Sequence, residues 1–204
     1  MKHEWKKCEK NLYGAKTTPR IVEVPRQKYI MIDGKGNPND EEFSVKVSAL
    51  FSLAYAIKMG YKAERKDAQE NVVTDFTVYP LEGVWKENKG TELIKEELEY
   101  TIMIRQPDFI TEDMVIEAME KVKKKKPNPF YDSIGFQTMQ DGTCIDILHI
   151  GSYDDEPASF QCMDEFAKEN GYQRSETWHR EIYISNTNRV EKSKLKTILR
   201  YVIK

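Results

Sequence analysis

Cysteine is scarce in this chain, net charge is small, and long apolar runs are missing. The three cysteines, Cys8, Cys144 and Cys162, are widely spaced and form no Cys-x-x-Cys pair. That argues against a disulfide framework or a zinc knuckle and fits a reducing, cytoplasmic setting. No stretch of about 18 or more apolar residues occurs, and the basic residues near Met1 are not followed by an apolar segment. Neither a membrane span nor a signal peptide is therefore expected. A formal net charge of −2 gives no global field for nucleic acid or an anionic membrane, so direct binding to either is not expected.

Familiar chemical signatures are missing too. His149 and His179 belong to no His-x-x-x-His or His-Glu-x-x-His pattern, so they read as structural histidines and no metal is expected. Gly34-Lys-Gly36 is too short for a dinucleotide fingerprint and lacks the Walker ending, which leaves it a turn and no cofactor expected. There is no nucleophile elbow and no identifiable activated thiol. The lysines between 121 and 126 read as a solvated helix end favoured by the helix dipole.

What is present is a chain of 204 residues, 39% hydrophobic and 32% charged, enough to bury a core without staples. Ile21–Val24 and Lys28–Asp33 read as short strands separated by Pro25, and the turn Asp33–Pro38 follows. Asn39 or Asp40 can cap a helix whose apolar face is Phe43, Val47, Leu50, Ala54 and Ile57, with Gly60 as its stop. Strands are expected from Asn71 to about Trp85 and over Leu98–Arg105. Thr111 opens a second helix with Val115, Ile116 and Met119 inward, stopped by Pro127.

The second half runs in the same order. Strands Ile134–Met139 and Thr143–Ile150 flank Gln140-Asp-Gly142, a hairpin signal; Pro157 starts a helix with Phe160, Met163 and Phe166 inward, ending near Gly171; strands follow around 177–185 and 195–203. The expected fold is α+β, a duplicated β-α-β-β module with antiparallel strands. The expected organisation is a single domain of two pseudo-symmetric halves, about 20–108 and about 130–204, joined by a helix near 111–126. One main helix per half leaves the opposite sheet face open unless something fills it.

Within Trp178–Ser185, alternation sends Ile182 and Ile184 to one face and His179, Glu181 and Tyr183 to the other. An acid between an imidazole and a phenol suits a cavity wall, where it can hold a cation, accept a proton or activate water; the bland alternative is an exposed glutamate paired with a cross-strand lysine. Tyr183 shares that face and can meet the same ligand or water. Tyr79, Leu81 and Trp85 would share one side of a regular strand and form an aromatic wall, with ordinary packing as the alternative, and Gly83 suggests a bulge redirecting Trp85. Tyr153, where a strand leaves for a helix, can close one end of the pocket.

Six stretches, taken in order, resemble the GyrI-like small-molecule-binding proteins: Tyr29–Pro38, Tyr79–Trp85, Arg105–Phe109, His149–Pro157, His179–Ser185 and Lys194–Arg200. The resemblance implies two β-α-β-β halves around an aromatic-lined central cavity like the effector domains of bacterial multidrug sensors, with the family's buried glutamate carried onto Glu181. Those sensors carry a helix-turn-helix ahead of the domain and this chain shows none, so control of transcription would need a separate regulator as partner. Leu81–Trp85 is most similar to a stand-alone branch whose members include hydrolases of cyclopropane-bearing alkylators. Other stand-alone members act on DNA gyrase, which leaves a protein-interaction module as the alternative. The expectation is a binder of lipophilic, planar or cationic xenobiotics, with hydrolysis of an electrophilic ligand close behind. Its catalytic residues would be Glu181 and Tyr183, and its ligand-binding residues Tyr79, Trp85, Tyr153, His179, Glu181 and Tyr183.

Overall fold

The computed structural model describes residues 1–66, 72–86, 94–187 and 189–204. Alternating apolar residues build eight strands into one antiparallel sheet: β2 (Arg20–Val24), β3 (Gln27–Lys35), β5 (Leu81–Lys86), β6 (Glu99–Gln106), β7 (Gly135–Met139), β8 (Gly142–Ile150), β9 (Trp178–Tyr183) and β10 (Lys196–Val202). A separate parallel pair joins β1 (Lys2–His3) to β4 (Asp75–Phe76). The described residues also form five α-helices, α1 (Trp5–Cys8), α2 (Lys10–Tyr13), α3 (Glu41–Glu64), α4 (Glu112–Lys125) and α5 (Glu156–Glu169), and four short 3-10 turns. None is long and apolar enough to cross a membrane.

The strand order is β2-β8-β10-β9-β5-β6-β3-β7. β3, β5 and β6 take the same relative places on one side of the central β5–β9 contact as β8, β9 and β10 take on the other. Only Pro25 and Arg26 link β2 to β3, and only Gln140 and Asp141 link β7 to β8. Each link reaches about 11 Å, yet in a flat sheet the joined strands would stand about 29 Å apart. The sheet must therefore curl into a half-barrel until its ends approach. This corrects the hairpin expected at Gln140–Gly142, because β7 pairs with β3 while β8 pairs with β10 and β2. Asp141 spends its carboxylate on Arg180 instead, accepting from Nε at 2.8 Å and Nη2 at 2.9 Å.

Side-chain alternation gives the curled sheet two distinct faces. The outer face carries the helices: Leu50, Leu53 and Ile57 of α3 bury against Ile30, Ile32, Ile102 and Ile104, while Met163 and Ala167 of α5 cover Ile145, Ile147 and Leu199. α4 packs on α3 through Val115, Ala118 and Val122; Ile116, expected inward, is 51% exposed. The inner face is partly ionic. Arg180, only 1% exposed, donates to Glu82 at 3.0 Å as well as to Asp141, and Arg200 donates to Asp146 at 3.1 Å.

Three other expectations changed. α3 runs past Gly60 to Glu64, because Ile57 and Tyr61 continue its buried stripe and Gly60 lies on the open side. The strand expected up to Trp85 is two pieces, β4 and β5, and Asn71 lies outside the described residues. The polar lead-in folds as α1 and α2, whose Trp5 and Leu12 are buried.

Candidate functional site

β5 and β9 run side by side between α3 and α5, so their outer-face side chains form the floor of a groove with a helix on either side. Gly83 pairs with Glu181 and Trp85 with His179 in the cross-strand register. Alternation then brings Tyr183 onto the same floor. Glu181 is 8% exposed. One of its oxygens lies 3.0 Å from His179 Nε2, and the other accepts from the Tyr183 hydroxyl at 2.8 Å. The Trp85 indole N–H donates to that same hydroxyl at 3.0 Å. A chain of hydrogen bonds thus runs from Trp85 through Tyr183 to Glu181, and it fixes both the phenol and the carboxylate. Burial, followed by the charge on Glu181, pushes the Tyr183 phenol well above its ordinary pKa, so it stays a donor to that acid.

Gly83 makes this arrangement fit. Its pairing with Ile102 on one side and Glu181 on the other is uninterrupted, so it is not a bulge. A Cβ there would stand 2.6 Å from Trp85 Nε1 and 3.1 Å from the Tyr183 hydroxyl oxygen. Glycine is what lets the indole and the phenol meet over the strand.

Aromatic rings bound the groove. On the α3 side, Phe43 stacks on Trp85 with centroids 6.1 Å apart, and Tyr100 lies 5.2 Å from the same indole. On the α5 side, Tyr153 meets Tyr183 edge-on at 6.0 Å and Phe160 meets His179 at 4.8 Å. Tyr153 sits in the short helical turn before α5 and is 41% exposed, at the rim. Burial and the neighbouring Glu181 push its phenol up to about 12. A depression of about 560 Å³ along α5, lined by Phe160, Gln161, Arg174 and His179 among others, adjoins this rim.

The structure therefore gathers Trp85, Tyr153, His179, Glu181 and Tyr183. It does not bring Tyr79 to them. Tyr79 precedes β5 rather than belonging to it, so the regular alternation assumed from Tyr79 to Trp85 is broken. Its hydroxyl bonds to Glu9, its ring stacks on Trp5, and Arg105 lies over its face. Tyr79 thus belongs to the packing of the N-terminal helices. His149 is held by Ser159 and by the Ser152 carbonyl, both at 2.9 Å, which is a structural role. Among the described residues no cluster of histidine, cysteine and carboxylate side chains could hold a metal ion.

Sequence reasoning missed Glu156, the first residue of α5. It is 7% exposed, and its Oε1 has no hydrogen-bond partner. Burial, followed by repulsion from Glu181, pushes its carboxyl up to about 9. The available signal, an acid just before Pro157, reads as an ordinary favourable charge at a helix start. Phe43 was legible only as part of an apolar helix face.

Known proteins share the family and the fold of this chain. Residues 17–202 match the model of the GyrI-like small-molecule-binding domain. No curated protein matches the chain. A hydrolase from Listeria innocua of known structure is similar over 100% of both chains, with 31% identity and a TM-score of 0.89. An uncharacterized conserved protein from the same organism is 32% identical over 99% of this chain and 100% of its own, with a TM-score of 0.88. The C-terminal domain of EcmrR, at 14% identity over 92% of this chain and 97% of that one, has a TM-score of 0.53 and shares the fold.

Proposed function

Because the chain belongs to the GyrI-like small-molecule-binding domain family, we propose that it is a cytoplasmic protein that captures lipophilic, planar or cationic xenobiotics in the groove between α3 and α5. The two halves, about 20–108 and about 130–204, would then each supply one wall. The observation that carries this reading is the setting of Glu181: it is almost covered and surrounded by aromatic rings, and among the described residues only His179 and Tyr183 bond to it. Among the described residues no lysine or arginine is bonded to it, which leaves that place to a ligand's positive charge. A cation about 4 Å from the carboxylate gains at most about 4 kcal/mol at an effective dielectric of 20. Contacts with the rings add roughly 0.5–2 kcal/mol. If Glu181→Gln leaves the affinity for ethidium and rhodamine dyes unchanged, the pairing role is lost.

A second reading, hydrolysis of an electrophilic cyclopropane-type ligand at the same place, is supported by the whole-chain likeness to the Listeria hydrolase. Each carboxylate oxygen keeps a lone pair beyond its present bond. Glu181 can therefore take a proton from a water, while Tyr183, held by Trp85, keeps the acid aligned. The water oxygen bonds to the ring CH2, the strained carbon–carbon bond breaks, and its electron pair passes into the ligand's conjugated acceptor, which is then protonated. The net change is addition of one water. A positioned general base of this kind contributes roughly 10²–10⁴-fold. Incubation with a cyclopropane-bearing alkylator, followed by mass spectrometry, should show a product heavier by one water with wild type and none with Glu181→Gln. Absence of that product across a panel of such compounds would sink hydrolysis and leave capture standing.

A further inference from the structure

Glu156 is a buried acid for which the capture reading has no use. It sits in the first turn of α5 with a buried, unpartnered Oε1, between Tyr153, whose ring meets Tyr183, and Phe160, whose ring meets His179, the two residues that flank Glu181 on the same face of β9. Among the described residues, the groups around it offer no positive partner. From β9 come Glu181, bonded to His179, and the Tyr183 phenol. From β8 comes His149, whose two nitrogens are both engaged by Ser159 and Ser152. From its own turn come Asp154, which adds repulsion, and Asp155, which is bonded to Ser152. An acid so placed carries its proton, because two adjacent carboxylates deprived of water cannot both ionise without a counter-charge. The pair thus holds a single negative charge and one displaceable proton.

We propose that Glu156 and Glu181 form a two-carboxylate subsite that takes up a cationic group of the ligand in exchange for one proton, Glu156 being the carboxyl that releases it. The exchange conserves the charge of the site. Before binding there is one carboxylate and one carboxylic acid; afterwards there are two carboxylates and one cation, and the Glu156 proton has gone to solvent. The ligands favoured are planar aromatic amidines, guanidines and amines, whose N–H groups can donate to both acids, over cations with a buried or shielded charge. This inference rests on the groove being the capture site and adds a chemical preference and a pH dependence to it.

The test uses the intact protein and the planar aromatic diamidine DAPI, which stays charged across the assay range. Calorimetry at pH 7.5 in two buffers of different ionisation enthalpy counts the protons released per ligand. The expected value is close to one, and the dissociation constant should fall roughly tenfold per pH unit between pH 7 and 8. In Glu156→Gln, whose folding is checked by its thermal transition, the release and the pH slope should both vanish. Binding of DAPI to wild type without proton release, or release that survives Glu156→Gln, would overturn the exchange. If DAPI does not bind, the subsite is refuted, and whether the capture reading falls with it is read separately from the dyes.

Discussion

Gly83→Ala isolates the geometry of the groove floor. The added methyl would lie 2.6 Å from Trp85 Nε1 and 3.1 Å from the Tyr183 hydroxyl. The indole cannot simply swing aside, because Phe43 stacks on it and Tyr100 lies 5.2 Å from its centre. Overpacking of this kind costs about 1–3 kcal/mol. Against it stands a gain of about 0.4–1 kcal/mol from stiffening the unfolded chain. The net loss is therefore at most about 2.6 kcal/mol, which for a chain of this length lowers Tm by up to roughly 10 °C. The larger effect falls on the site, since the Trp85–Tyr183 hydrogen bond must break or lengthen and the phenol loses the contact that aims it at Glu181. Thermal unfolding paired with dye titration measures both. An alanine variant with wild-type Tm and wild-type affinity would refute the claim that glycine is required for the indole and phenol to meet.

Three more expectations can be checked together. Arg180→Met strands Glu82 and Asp141 in the interior and should cost about 3–5 kcal/mol in urea unfolding; neutralising both acids as well should recover part of it, and a loss below about 1 kcal/mol for the single variant would contradict the ionic inner face. Glu156 has a raised folded-state pKa, so its contribution to stability is full below its ordinary value of 4.5 and is lost as pH rises toward about 9. Glu156→Gln should therefore raise Tm relative to wild type at pH 8 and change it little at pH 4, and equal shifts at both pH values would show that the group is not buried as a neutral acid. Trp5→Ala removes a ring packed on Tyr13 and Tyr79 whose N–H donates to the Val78 carbonyl at 3.0 Å. It should cost about 3–5 kcal/mol, whereas a neutral result would mean that the N-terminal helices add little to the fold.

Much of the fold was legible because it rests on periodicity. The alternation in Trp178–Ser185 placed Glu181 and Tyr183 on the groove side, and the apolar stripe from Phe43 to Ile57 gave α3 its buried face. What could not be read depends on partners far apart in the chain. Gln140-Asp-Gly142 carries hairpin chemistry, yet β7 pairs at one end of the strand order and β8 near the other, so the link spans the gap between the two ends of the curled sheet, and Asp141 turns inward to Arg180. Tyr79 obeyed alternation only while its strand was taken as unbroken. Glu156 carries no local sign of its burial, because what covers it and what charges its surroundings come from β8 and β9. The ionic inner face was hidden for the same reason: Glu82 and Arg180, diagonal to each other on paired strands, read individually as solvated charges.

The central claim is that small molecules are held over Glu181, between the aromatic rings of α3 and those before and within α5. A crystal structure of the protein with a bound planar cation tests it most directly. The account predicts the ligand ring lying between Phe43 or Trp85 and Tyr153, with its charged nitrogen within about 4–6 Å of the Glu181 carboxylate. A ligand seated instead at the far end of the α5 depression, or on the inner face of the sheet with Glu181 untouched, would contradict it.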